Sequence, residues 1–278
     1  MKRALFCPPT YFEIRDVKNP YMTGAQTINR DLARQQWEAL TQAFRDAGCQ
    51  VETIEPVPDL EDMVFAANQV FVGDSPKYGK FIVPSRMRYP SRAREVPYYV
   101  EWFRSRGYKV INLDFGDDFL EGHGDLLWIA NSRAQASSVF AAYGFRSSRG
   151  GVEKFADAMR KMEISVIPLE LINPSFYHLD TCLTPLRAGA AMVVPEAFSA
   201  DALATVKKMI PRLYEVDPDD ASKFVCNGVA VNGKFITPHL TQCVARALEN
   251  EGLEPVLVNT SEFEKSGGSV FCLKAFID

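Results

Sequence analysis

Hydrophobic positions along the chain alternate between two periods. Over residues 28–47, Ala33, Trp37, Leu40 and Phe44 fall on one helical face, and Gly48 supplies a left-handed stop before the strand-like CQVETIE. The spacing predicts helix, glycine, strand. The same order returns in YYVEWFRSRG followed by YKVINLD, where Gly107 ends the helix, and in LTQCVARALENEG followed by LEPVLVN. In the latter Leu240, Val244, Ala247 and Leu248 make the apolar stripe and Gly252 the stop. Two further copies are VEKFADAMRKM with EISVIPLE and ADALATVKKMI with PRLYEVD. Between copies lie β-rich runs: MVFAANQVFVG, DLLWIA with SSVFAAYG, AAMVVP, and FVCNGVAVNGKFITP, whose Asn232-Gly233 reads as a tight hairpin turn.

No linker or low-complexity stretch interrupts these five helix-strand-loop-strand units. The expectation is an α/β fold in a single domain over residues 1–278, built from five repeats, because one unit cannot bury both its helix and its sheet face. An open doubly wound sheet is the alternative. Each unit returns to a polar loop at a similar offset: 14 residues separate Gly48 from Asp62 and Gly107 from Glu121, 16 separate Met162 from His178, and 20 separate Gly252 from Cys272. Equivalent units would bring these loops to one end, where their side chains converge on a central pocket.

The loops carry the candidate chemistry. DLEDMVFAAN offers Asp62 and Asn68, six apart and expected on one face of an extended run. FLEGHGDLL sets Glu121, His123 and Asp125 around Gly122 and Gly124; its G-x-G lacks the third glycine and the following helix of a dinucleotide site. FYHLDTCLTPL places His178 and Asp180 two apart, on the same face of an extended segment, and KSGGSVFCL brings Cys272 behind two glycines. A thiol with an imidazole suits nucleophilic catalysis, and paired carboxylates match the planar fork of a guanidinium. The reaction this predicts is attack of Cys272 on a guanidinium carbon, with the bound cation favouring the thiolate. Two rivals stay open. The pairs His123/Asp125 and His178/Asp180 would suit a manganese ureohydrolase, although its D-x-H-x-D spacing is missing, and the acidic loops alone would suit a non-catalytic amino-acid binding protein.

Composition narrows the partner. With 278 residues, 47% of them hydrophobic, the chain is an ordinary globular one, and a formal charge of -4 gives no basic footprint for nucleic acid or an acidic membrane. A small-molecule substrate remains; homo-oligomerisation is left open. Six cysteines, none closer than 17 residues apart and none in C-x-x-C, fit reduced thiols in a cytoplasmic protein. The apolar run of MKRALFCPPT stops at Pro8-Pro9, short of a signal segment or a span, so the sequon Asn259-Thr260-Ser261 reads as coincidence. Cys7, Cys49 and Cys243 are expected to be structural, whereas Cys182 and Cys226 lie in candidate pocket loops. No metal and no cofactor is expected.

From end to end the chain resembles the guanidino-modifying enzymes of the pentein superfamily: arginine deiminases, dimethylarginine dimethylaminohydrolases and amidinotransferases. It is most similar to the arginine dihydrolases, in CPPTYFE, NPYM, DMVFAAN, PYYVEWF, EGHGD, AYGFRS, FYHLDTC, FVCNGVAVN and SGGSVFCL. The resemblance implies a pseudo-fivefold α/β propeller. By matched motif it implies Cys272 as nucleophile, His178 as general acid and base, Glu121 as a carboxylate for the guanidinium and for His178, and Asp62 and Asp180 as guanidinium ligands. Asn68 matches the asparagine of the dihydrolase motif, Arg86 and Arg146 match arginines suited to a substrate α-carboxylate, and Asn19 of NPYM is a further candidate there. Only six residues follow Cys272, so an ornithine-processing extension is not expected. The implied products are ornithine, carbon dioxide and ammonia, or citrulline and ammonia; release of dimethylamine and transfer of the amidino group are the family's alternatives.

Overall fold

A computed structural model describes residues 1–22, 26–129 and 138–278. These residues form five separate three-stranded sheets in place of one open sheet. Every sheet has the same connectivity: an antiparallel pair, then a helix that returns the chain to a third strand parallel to the middle one. Val70–Ser75 pairs with Gly79–Pro84, and Lys109–Val110 follows the helix Val96–Arg104. Leu126–Ile129, Ser138–Tyr143 and Ser165–Glu170 repeat this around the helix Arg149–Arg160. Leu183–Arg187, Ala190–Val193 and Arg212–Glu215 do so around Ala200–Met209, and Val229–Val231, Lys234–Thr237 and Glu254–Leu257 around Gln242–Glu251. The fifth sheet draws on both ends of the chain. Lys274–Phe276 lies antiparallel to Arg3–Phe6, which is parallel to Gln50–Thr53 beyond the helix Arg30–Asp46.

Local chemistry explains the elements. The Asn29 side chain caps Arg30–Asp46 by accepting from Leu32 N at 3.1 Å, and Ala33, Leu40 and Phe44 turn inward. The Phe44 ring meets Phe6 of the sheet edge-on at 5.1 Å; burying such a side chain is worth about 1.5–3 kcal/mol. Gly48, Gly107 and Gly252 all hold positive φ at the helix ends, as the spacing predicts; of the two copies lacking a glycine, Glu163 takes that conformation in one, whereas Ile210 ends the other with φ of -114°. Asn232 and Gly233, with φ of 48° and 83°, make the expected hairpin turn.

Three sequence expectations need correction. Leu240 is exposed and precedes the cap Thr241, so the stripe of the last helix is Val244, Ala247 and Leu248 alone. The run from Met63 is not strand until Val70: Glu61–Val64 is a tight helical turn, which takes Asp62 off any extended face shared with Asn68. His178 and Asp180 are likewise not in an extended segment, because Leu179–Thr181 is a turn of the same kind. Both runs are buried on all sides, so no alternation marks their shape. Ala130 of DLLWIA and Ser137 of SSVFAAYG lie outside the described residues. Among the described residues, no helix is long and apolar enough to cross a membrane.

A short polar turn precedes the first strand of every hairpin: Glu61–Val64, Gly122–Asp125, Leu179–Thr181 and Val225–Asn227, with Ser269–Cys272 before the last. Equivalent connectivity therefore puts five chemistry-bearing turns in equivalent places.

Candidate active site

Two of those turns, through Asp62 and Cys272, line one cavity together with Lys18, Asn68, Arg146 and His178 among others, His178 lying directly before a third turn. Cys272 is 3% exposed, and its Sγ lies 3.2 Å from Asp180 Oδ2 and 3.2 Å from Asn227 Nδ2. Asn227 fixes the cysteine turn: its Oδ1 accepts from the backbone N–H of Ser269, Phe271 and Cys272 at 3.1–3.3 Å. The same Nδ2 also donates to Asp180 O at 2.9 Å, joining the third and fifth turns.

His178 Nε2 is 2.9 Å from Glu121 Oε2, which also accepts from Arg146 Nη1 at 2.7 Å. The other Glu121 oxygen accepts from Arg88 N at 3.0 Å. Asp125 positions this pair without entering the cavity; its carboxylate accepts from Leu179 N, beside His178, and from Ser147 Oγ, whose oxygen accepts from Glu121 N. Close packing here requires glycine. At Gly122, where φ is +46°, a Cβ would stand 2.6–2.9 Å from the carbonyl oxygens of Asn68, Val70 and Ala67.

Asn68 Oδ1 accepts from Arg92 Nη1 at 2.9 Å, and Arg92 is held by Glu95 at 3.1 Å. Asn68 Nδ2 has no hydrogen-bond partner among the described residues, nor has Asp62 Oδ1 or Asp180 Oδ1. Asp62 Oδ2 lies 2.9 Å from the buried ammonium of Lys18, which also contacts Asp16.

Electrostatics divides the groups. Burial pushes the Cys272 thiol well above its usual value, and neighbouring Asp180 pushes it further. Burial raises Asp180 to about 7, against the hydrogen bond from Cys272. At Glu121 burial opposes ionisation, but Arg146 and then His178 overcome it and hold the carboxyl well below the usual range. A cation entering this cavity would lower both Cys272 and Asp180.

The cavity thus gathers Cys272, His178, Asp62, Asn68 and Arg146, with Glu121 and Asp180 bonded to members of its wall. Asn19 also lines it, but its amide is engaged with Ser266 O at 3.0 Å and Tyr21 N at 3.0 Å. Arg86 is not brought there: its side chain is exposed and its backbone pairs with Leu120. Arg88, two residues on, lines an adjoining pocket that shares Lys18, Asn19, Arg146 and Tyr177 with the first, and Arg146 lies beside the rings of Tyr89 and Tyr177 at 4.8 and 4.9 Å. His123 is structural. Its Nε2 accepts from Val72 N and its Nδ1 faces Leu126 O, while burial and then Lys274 lower it to about 3. Neither nitrogen is left for a metal. Cys182 and Cys226 are buried, and neither lines the cavity.

Sequence reasoning missed Asn227, Arg92 and Lys18. For Asn227 a signal existed: counting 17 residues from Ile210 reaches it, as similar counts reach the other turns.

A buried thiol beside a carboxyl, and an imidazole beside a second carboxylate, define a thiol-dependent enzyme acting on a cationic group. A family model for eukaryotic N,N dimethylarginine dimethylhydrolases matches residues 8–277. The chain belongs to this family of guanidino-group hydrolases. It is 34% identical over 271 residues to an N(G),N(G)-dimethylarginine dimethylaminohydrolase of Mycobacterium tuberculosis, covering 98% of this chain and 84% of that protein. It is 32% identical to the bifunctional arginine dihydrolase/ornithine cyclodeaminase ArgZ of Synechocystis, covering 98% of this chain but 37% of that longer protein. The solved N-terminal domain of ArgZ bound to substrate superposes with a TM-score of 0.91 at 31% identity, covering 100% of this chain and 98% of that one.

Proposed function

We propose that the chain is a single-domain pseudo-fivefold α/β propeller that hydrolyses the guanidino group of arginine or of an N-methylated arginine through a covalent intermediate on Cys272. The observation that carries this reading is the meeting, in one cavity, of the Cys272–Asp180 pair with the His178–Glu121 pair. Asp62 and Asp180 receive the guanidinium, whose charge makes the thiolate accessible. Sγ adds to the central carbon, His178 gives a proton to the departing nitrogen, and ammonia or dimethylamine leaves. Water, losing a proton to His178, then adds to the thiouronium carbon; the C–S bond breaks and citrulline is released.

Two products are compatible with this site. Asn68 favours a second round, because its free Nδ2 can donate to a ureido oxygen that carboxylates would repel. That round would release ornithine, carbon dioxide and a second ammonia. Membership of the dimethylarginine family favours release of dimethylamine. Arg146 and Arg88 take the α-carboxylate, in place of the Arg86 and Arg146 pair read from sequence. The test is a product assay on arginine, dimethylarginine and citrulline, resolving ammonia, dimethylamine, citrulline, ornithine and urea. Citrulline consumption identifies a dihydrolase, and dimethylamine identifies a dimethylaminohydrolase. Turnover that survives thiol alkylation but not chelation would overturn the reading.

A further inference from the structure

A second cavity is lined by the strands that follow the polar turns. Its wall includes Val72, Leu127, Trp128, Thr184, Val229 and Phe271, drawn from four of the five sheets and the cysteine turn, and it shares no residue with the first cavity. Lys274 contributes the wall's only deeply buried ammonium among the described residues, at 2% exposure. Its Nζ sits 3.2 Å from the centroid of the Phe271 ring and 4.6 Å from that of Phe276, with no carboxylate in ion-pair range among the described residues. The Lys2 ammonium covers the Phe276 ring at 4.7 Å. Asp278, at the rim, is held by Arg3, and His123 in the wall is neutral with both ring nitrogens engaged. A buried cation is ordinarily paired, because unpaired charge in apolar surroundings is costly. Burial accordingly lowers Lys274 to about 7, Asp180 opposing and Lys2 reinforcing the shift.

We infer that this cavity is a second ligand site for a small carboxylate with an apolar or aromatic body, the carboxylate pairing with Lys274 and the body packing between Trp128, Phe271 and Val229. The positive side chains exclude the cationic substrate class of the first cavity. Apolar walls disfavour small inorganic anions, which would give up hydration without compensation.

Trp128 lines the cavity and provides the readout. Benzoate titrated into the full chain should change Trp128 fluorescence saturably, and Trp128→Phe should abolish the signal. Lys274→Met should weaken binding at least tenfold. Ala230→Trp, which fills the cavity from a half-buried wall position, should weaken it too with Lys274 intact, so the inference stays testable if Lys274→Met misfolds. Binding should persist in Cys272→Ser saturated with arginine. The inference is overturned by no saturable binding, by equal binding to Lys274→Met, by displacement with arginine, or by inorganic phosphate binding as tightly as benzoate. None of these readouts uses turnover, so their failure is distinct from failure of the proposed hydrolysis.

Discussion

The Cys272 thiol donates to the Asp180 carboxyl, and burial makes both groups resist ionisation. Without substrate, iodoacetamide should therefore label Cys272 at a rate still climbing at about pH 9, since only the thiolate reacts. Asp180→Asn removes the neighbouring charge and should speed labelling several-fold at about pH 8; slower labelling would mean that Asp180 draws the proton from the thiol. The same carboxyl sets a stability window. Its folded value of about 7 exceeds the unfolded value of about 3.9, so its contribution is complete below the latter and lost as pH rises through the former. Between about pH 4 and 7 wild type should lose more melting temperature than Asp180→Asn, and the difference between the two curves reports this carboxyl. Asn227→Ala frees the cysteine turn from three N–H bonds and should lower kcat more than 10-fold with a smaller change in KM; unchanged kcat would reduce Asn227 to a packing residue. Cys272, His178 and Glu121 were legible as residue types at recurrent offsets. Arg92 was not, because its bond to Asn68 joins segments 24 residues apart through a turn that no periodicity marks.

At the scale of elements, glycine separates architecture from chemistry. Gly122 needs both positive φ and the space beside three carbonyl oxygens, whereas Gly233 needs only the positive φ, with nothing within 4 Å of its missing Cβ. Gly233→Ala should cost about 1–2 kcal/mol in chemical denaturation and leave kcat unchanged. Gly122→Ala should cost more and also lower kcat, because the displaced turn carries Glu121; equal effects of the two substitutions would contradict this account. The helices were legible because one face is apolar at helical spacing, as Ala33, Leu40 and Phe44 show. The shape of the polar turns was not, since segments such as Met63–Ala67 are buried on every side and leave sequence no contrast to read.

The whole molecule repeats one connectivity five times, and the copy that contains Arg3–Phe6 also contains Lys274–Phe276. Arg3 N donates to Asp278 Oδ2 at 2.6 Å, so residues 275 apart in sequence are neighbours in space. The chain is thus a thread whose two loose ends lie side by side, and the knot that joins them could be tied elsewhere. Joining residues 278 and 1 by a short linker and opening the chain in the exposed turn between Pro76 and Lys77 should give a circular permutant with wild-type kcat. An insoluble or inactive permutant would mean that the place where the thread is cut governs folding, even though the finished contacts would be the same.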